Sequence, residues 1–174
     1  MQRDTTLNEK AMQRIMEVAQ AGNAKFGMQQ TVFLNNLINA YVMSEDFDQA
    51  LATVDNLLET NPDNSNLYGL RGFIYDRAGN DDASLNDYRK AASLSDCDYE
   101  TLKNAAKKIY RVGAVKFGEI DPADQAAKNQ IKAEYYDEAA AICQRAKSIK
   151  SDDPDLDHVI DAIDYALTTY FPAN

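Results

Sequence analysis

Thr31-Val32-Phe33-Leu34-Asn35-Asn36-Leu37-Ile38-Asn39-Ala40-Tyr41-Val42-Met43-Ser44-Glu45-Asp46-Phe47-Asp48-Gln49-Ala50-Leu51, with the Asn61-Pro62-Asp63-Asn64 that closes the same stretch, decides the fold. A step of 34 residues carries Leu34 onto Tyr68 and Leu102, and Tyr41 onto Tyr75 and Ile109. The same step sets Ala50-Leu51 on Ser84-Leu85, Pro62 on Asp96 and Gly79 on Gly113. Each unit therefore reads as helix, tight turn, helix, loop. A two-helix unit of this length cannot bury its apolar face alone and must stack on its neighbours.

The residues in these units resemble the tetratricopeptide repeat. The first, 31–64, has Leu34, Leu37, Tyr41, a turn at Asp46-Phe47-Asp48, Ala50-Leu51, Leu57 and the closing Asn61-Pro62-Asp63-Asn64. The second, 65–98, has Tyr68, Gly72, Tyr75, the Ala78-Gly79-Asn80 turn, Tyr88, Ala91 and Leu94, with Gly72 and Ala91 in small-residue slots that let paired helices approach. Two departures stand out: Arg71 replaces the usual Leu, and Asp96 replaces the closing Pro, so a bent or looser join is expected there. The resemblance implies an all-α fold, a right-handed αα superhelical solenoid, and a non-catalytic scaffold that binds a protein or extended peptide on the concave face of its first helices. In that frame the groove residues are Asn35, Asn39 and Val42, then Asn66, Gly69, Phe73 and Asp76, then Lys103, Lys107, Tyr110 and Arg111. The two-carboxylate clamp of chaperone-binding members is not matched, because it needs Lys where Asn35 stands and Asn where Leu70 stands.

A third unit, 99–154, keeps its first helix through Leu102, Ala105, Ala106, Ile109 and Gly113. Its second helix is late: Tyr136-Asp137-Glu138-Ala139-Ala140 matches Phe47-Asp48-Gln49-Ala50-Leu51, which leaves a helical insertion at about 114–134. Asp121-Pro122 has the form of a cap followed by Pro at the first helical position. A helix from Pro122 to Lys150 would be about 43 Å long. The expectation is a protruding hairpin in which Ala114, Phe117 and Ile120 zip against Ala127, Ile131 and Tyr135.

The ends differ from the middle. Within 1–30, Ile15, Val18, Ala19, Gly22 and Phe26 recur at helical spacing, as in the second helix of a preceding half repeat. The Gly22-x-x-Lys25-Phe26-Gly27 ending favours a chain that begins inside a longer protein over a degenerate repeat. In 155–174, Leu156, Val159, Ile160, Ile163, Leu167 and Tyr170 form one stripe, with Asp157, Asp161 and Asp164 facing away, as in a capping helix. Phe33-Leu34-Asn35-Asn36-Leu37-Ile38-Asn39 and the drawn-out third unit are also similar to the C-terminal repeats of tetratricopeptide proteins exported to the envelope of some Gram-negative bacteria. That likeness favours periplasm or envelope if the chain is such a fragment, and cytoplasm otherwise.

Composition narrows the function classes. The 174 residues hold 18 Lys+Arg against 28 Asp+Glu, a formal charge of −10, which argues against a nucleic-acid partner. No apolar run is long enough to insert in a membrane. Cys97 and Cys143 form no C-x-x-C pair and there is one His, so structural zinc is not supported; Cys143 reads as a buried thiol and Cys97, in a polar turn, as exposed. Asp153-x-Asp155-x-Asp157 opens like a calcium loop, but Pro154 follows directly and His158 takes the required Gly position, so capping is the better reading. His158 has no nucleophile beside it in sequence, and no phosphate loop is present. No cofactor, metal or enzyme chemistry is therefore expected. The alternative to an adaptor is structural self-association, with a second copy or the missing upstream repeats docking on the N-terminal helix or the inserted hairpin. Lys103, Lys107, Lys108 and Arg111 add a basic strip that would suit an acidic peptide end.

Overall fold

A computed structural model of the protein describes residues 30–172, with side chains from Leu34 onward. The expected N-terminal half repeat, including Ile15, Val18 and Phe26, lies outside these residues, as do Ala173 and Asn174. The described residues form helices and loops with no strand, an all-α architecture. In order they are α1 (Gln30–Met43), α2 (Phe47–Thr60), α3 (Ser65–Arg77), α4 (Asp81–Ser93), α5 (Tyr99–Glu119), α6 (Gln125–Ile131), a π-helical turn (Lys132–Asp137), α7 (Glu138–Ile149) and α8 (Pro154–Tyr170). Helix starts recur: α2 and α4 begin 34 positions apart (47 to 81), and so do α3 and α5 (65 to 99). Among the described residues no helix is long and apolar enough to cross a membrane.

Local chemistry sets these boundaries. Asp46, Asn64, Asn80, Asp98, Asp124 and Asp153 each accept a backbone N–H from the first turn of the helix they precede. Such a cap contributes about 1 kcal/mol, and six of them account for much of the acidic and Asn content of the loops. Two helix ends share one closure. At α1 the Asp46 N–H donates to Tyr41 O and the Glu45 N–H to Val42 O; at α3 the Asn80 N–H donates to Tyr75 O and the Gly79 N–H to Asp76 O. Both are Schellman closures, which need a left-handed residue, and it is Glu45 (φ 61°) in one and Gly79 (φ 77°) in the other. The first turn thus lies at Ser44-Glu45, two residues before the expected Asp46-Phe47-Asp48, because Asp46 is already the cap of α2.

Consecutive helices pack on one another, and the core runs as two joined clusters. Leu37, Ile38, Tyr41, Val42, Ala50, Val54, Leu58 and Ile74 form the first; residues from Leu85 to Phe171 form the second, and Tyr68 packs against both. Ile38, Val54 and Ile74 are fully buried, each contributing about 1.5–3 kcal/mol of apolar transfer. Close approach depends on glycine. A Cβ on Gly72 would meet Tyr88 Cδ2 at 3.2 Å and Ser84 O at 3.3 Å, so Gly72 does occupy a small slot between α3 and α4. A Cβ on Gly69 would come within 2.6 Å of Thr101 Cγ2, which sets the spacing of α3 and α5.

The join at Arg71 is clamped rather than loose. Its guanidinium donates from Nε and Nη2 to Asp87 of α4 at 2.7 and 2.8 Å, and from Nη1 to Asp55 of α2 at 2.6 Å. Bonds to Asp87 above all, opposed by burial, raise the Arg71 pKa further above its ordinary value. Arg145 of α7 donates to the carbonyl oxygens of Ala92 and Leu94, closing the end of α4 where Asp96 stands in place of Pro. The expected exposure of Cys97 is corrected for the same reason: the segment folds inward and leaves the thiol 4% exposed.

The third unit departs most from the two before it. Gly113, which aligns with the turn glycine Gly79, lies inside α5, where a Cβ would overlap Tyr135 Cβ. The helix runs through because the connection that should follow Gly113 is replaced by the insertion. Asp121 does not cap a helix at Pro122; its carboxylate accepts from Ala123 N in a tight turn, and Asp124 caps α6 at Gln125. The returning helix is continuous to Ile149, except that the π-helical turn places both Tyr135 and Tyr136 in the core. Arg89 of α4 supports this turn, donating to Glu134 O at 2.6 Å and in bidentate fashion to Glu138. Ile131 and Tyr135 are buried and Phe117 and Ile120 pack on their cluster, while Ala114 is exposed and takes no part in the zip. The hairpin is also met by the end of α8: Phe117 stacks on Tyr170 and Phe171 at centroid distances of 5.1 and 5.2 Å. Along α8, Leu156 and Ile163 are buried, Val159, Ile160 and Leu167 half-buried, and Asp161 and Asp164 exposed, while Asp157 turns back to Lys147 at 2.5 Å.

Candidate binding cleft

Helices α3, α4 and α5 leave an open cleft of about 300 Å³ lined by Phe73, Asp76, Tyr88, Asn104, Lys107, Lys108 and Arg111. Phe73 and Asp76 sit one turn apart on α3. Asn104, Lys107, Lys108 and Arg111 follow the i, i+3, i+4, i+7 rule that puts them on one face of α5. Phe73 is 38% exposed, an apolar ring kept at the surface beside amide and charge.

Of the residues expected in a groove, Phe73, Asp76, Lys107 and Arg111 line this cleft. Asn35 and Asn39 are exposed on α1 and Asn66 at the start of α3, none of them in the wall of this cleft. Val42 and Gly69 are buried, the first in core and the second against Thr101. Tyr110 turns toward the aromatic core and meets Tyr136 edge-on at 5.7 Å. Lys103 is not an open groove cation. It is buried, bonded to Asp153 at 3.0 Å and paired with Glu100 at 3.1 Å, and it lies over the Tyr99 ring at 5.2 Å. Burial opposes its charge, but those carboxylates outweigh burial and raise its pKa. The Tyr99 hydroxyl and the Lys103 ammonium in turn hold Asp153 well below the usual carboxylate range.

The basic strip is neutralised from within. Lys108, its side chain only 2% exposed, pairs with Asp76 at 2.6 Å and with Asp81. Arg111 reaches Asp76 at 2.5 Å and Asp81 at 3.9 Å, and Lys107 lies 3.8 Å from Asp155. Burial raises the Asp76 pKa, but Lys108 and Arg111 outweigh it and hold the carboxyl below its ordinary value. Burial first, and then Asp76, pushes the Tyr88 phenol up to about 12. At neutral pH the cleft therefore presents a neutral phenol, a carboxylate, three cations and one exposed ring. The strip is an ion-pair network: Asp76 of α3 and Asp81 at the start of α4 face Lys108 and Arg111, and Asp155 at the start of α8 faces Lys107.

Sequence reasoning missed Asn104 as a cleft residue and placed Tyr88 as a position of the second repeat unit. The helical stripe through Lys107, Lys108 and Arg111 was the signal that would have added Asn104. Elsewhere, Asp153 caps α8, Asp155 faces Lys107 and Asp157 pairs with Lys147, so each carboxylate of the calcium-like run has a structural partner. Among the described residues no group of three His, Cys, Asp or Glu side chains is placed to hold a metal ion. His158 is exposed on α8, and burial pushes the Cys97 and Cys143 thiols up to about 11. No protein-family model matches the chain, and no curated protein matches it.

Proposed function

We propose that the protein is a tetratricopeptide-type helical solenoid acting as a non-catalytic scaffold, and that the α3–α5 face holds an extended segment of a protein partner. The recurrence of helix starts at 47 and 81 and at 65 and 99, with matching Schellman closures at Glu45 and Gly79, supports the repeat reading. The observation that carries the binding role is Phe73, a large ring left exposed beside Asn104, Lys107 and Arg111 in a concave site. A carboxamide can bond a peptide backbone as donor and acceptor at once, and an aromatic anchor in a cleft supplies the larger share of binding energy. Because each cation already has a carboxylate partner, the site suits a segment held by backbone and apolar contacts more than a strongly acidic one.

Display of a random peptide library against the protein tests this. Enriched sequences should lose binding about tenfold or more on Phe73→Ala and on Asn104→Ala, with helicity unchanged. No enrichment, or enrichment indifferent to both substitutions, would overturn the proposal.

A further inference from the structure

We propose that a second cleft, between the start of α6 and the end of α8, binds a small ring-bearing monocarboxylate. It has a volume of about 540 Å³, within the range of small-molecule sites, and Gln125, Lys128, Asn129, Lys132, Tyr170 and Phe171 form most of its wall. It shares no residue with the Phe73 cleft, so it stands or falls independently of the scaffold reading.

Its electrostatics set it apart. In a chain of net charge −10, the cleft at Phe73 holds Asp76, the one beside Val115 holds Asp81, Asp82 and Glu119, and the one beside Cys143 holds Asp164. Among the described residues no carboxylate lines the α6–α8 cleft, although two ammonium groups do. Lys132 is already bonded to Asp137 at 2.7 and 2.9 Å. Lys128 is half-buried and has no ion-pair partner among the described residues. One uncompensated cation matches one negative charge, which favours a carboxylate over a phosphate dianion.

The rest of the wall selects the body of the ligand. Gln125 Nε2 donates to Asn129 Oδ1 at 3.0 Å, which leaves the Gln125 oxygen as acceptor and the Asn129 amide as donor. Tyr170 is part-exposed, and its ring is fixed from behind by Phe117 at 5.1 Å and from the side by Tyr165 at 6.3 Å. Phe171 is wedged between Phe117 and Tyr136 at 5.2 and 5.0 Å. Rings held this firmly lose little freedom when another ring stacks on them. A ring lies on Tyr170, its carboxylate meets Lys128, and the two carboxamides bond its polar substituents.

Titration of the full chain with benzoate, followed by backbone amide NMR, tests the assignment. Saturable shifts are expected at Lys128, Asn129 and Phe171. Acetate, which lacks the ring, and benzyl alcohol, which lacks the charge, should each bind at least about tenfold more weakly. Lys128→Ala and Tyr170→Ala should each weaken benzoate by a similar factor, and Lys116→Ala should leave it unchanged. Absence of saturable shifts, equal binding by the Lys128→Ala protein, or acetate binding as well as benzoate would overturn the proposal.

Discussion

The Arg71 guanidinium of α3 meets the Asp87 carboxylate of α4 in a two-bond fork, Nε to Oδ2 at 2.7 Å and Nη2 to Oδ1 at 2.8 Å. Asp87 is buried, whereas Asp55, the third member, is exposed. Arg71→Leu should therefore destabilise by about 2–3 kcal/mol, most of it from the carboxylate left unpaired in the core. Arg71→Leu with Asp87→Leu should recover most of that loss, because Asp55 remains hydrated. Urea unfolding followed by circular dichroism measures both; a double variant no more stable than the single one would show that the fork itself, not the orphaned charge, sets the cost.

Glu45 holds the left-handed turn that Gly79 holds one unit later. A side chain in that conformation costs on the order of 1 kcal/mol, so Glu45→Gly should raise stability by about 0.5–1 kcal/mol. Gly79→Ala should lower it by about the same amount. Thermal melts that move both variants in one direction would contradict this account of the turn.

Two glycines of α5 should respond in opposite ways to alanine. Nothing lies within 4 Å of a Cβ built on Gly118, so Gly118→Ala should gain about 0.5–1 kcal/mol of helix propensity. On Gly113 the added methyl would overlap Tyr135 Cβ, which cannot move without the backbone of the π-helical turn. Overpacking outweighs propensity there, and Gly113→Ala should lose about 1–3 kcal/mol. Equilibrium unfolding of the two proteins side by side checks the sign of each.

Stability should fall at both ends of the pH scale for different reasons. Asp76 and Asp153 have folded pKa values below the unfolded value of about 3.9, so they stabilise fully above about pH 5 and lose that contribution as the pH falls through the folded values. Cys97 and Cys143 ionise at about 11 when folded. Unfolded thiols ionise near about 8.5, so their contribution is complete below that and lost as pH rises toward 11. The melting temperature should be flat from about pH 5 to 8. It should decline on either side, with a shallower acid limb in Asp153→Asn.

Both thiols should also be inert in the folded protein. At pH 8 a disulfide reagent such as Ellman's should react with Cys97 and Cys143 only after denaturant is added, because each is buried and protonated. Prompt reaction of one equivalent without denaturant would mean that the Cys97 loop opens readily.

What the sequence by itself determined is what short-range chemistry controls. Caps such as Asn64 and Asp98 act within three residues, a left-handed closure such as that at Gly79 acts within six, and apolar spacing marks a helix face within two turns. The all-α character, the cap at Asp153 and the burial of Cys143 were therefore legible, whereas the helix start expected at Pro122 lies three residues on, at Gln125. Tertiary structure alone decided the contacts between distant segments. Arg71 reads as a defect in sequence, yet its carboxylates lie sixteen residues away on either side, at Asp55 and Asp87. Lys103 reads as a groove cation until Asp153, fifty residues on, is folded against it. Gly113 aligns with a turn glycine but serves a helix, because Tyr135 needs the space of its missing side chain. The α6–α8 cleft has no sequence signature, since the closing of α8 over the hairpin brings Lys128 to Tyr170 from opposite ends of the last fifty residues. Periodicity records which way a side chain points along its own helix, and charge neutralisation, glycine contacts and clefts depend on which helix comes to lie beside it.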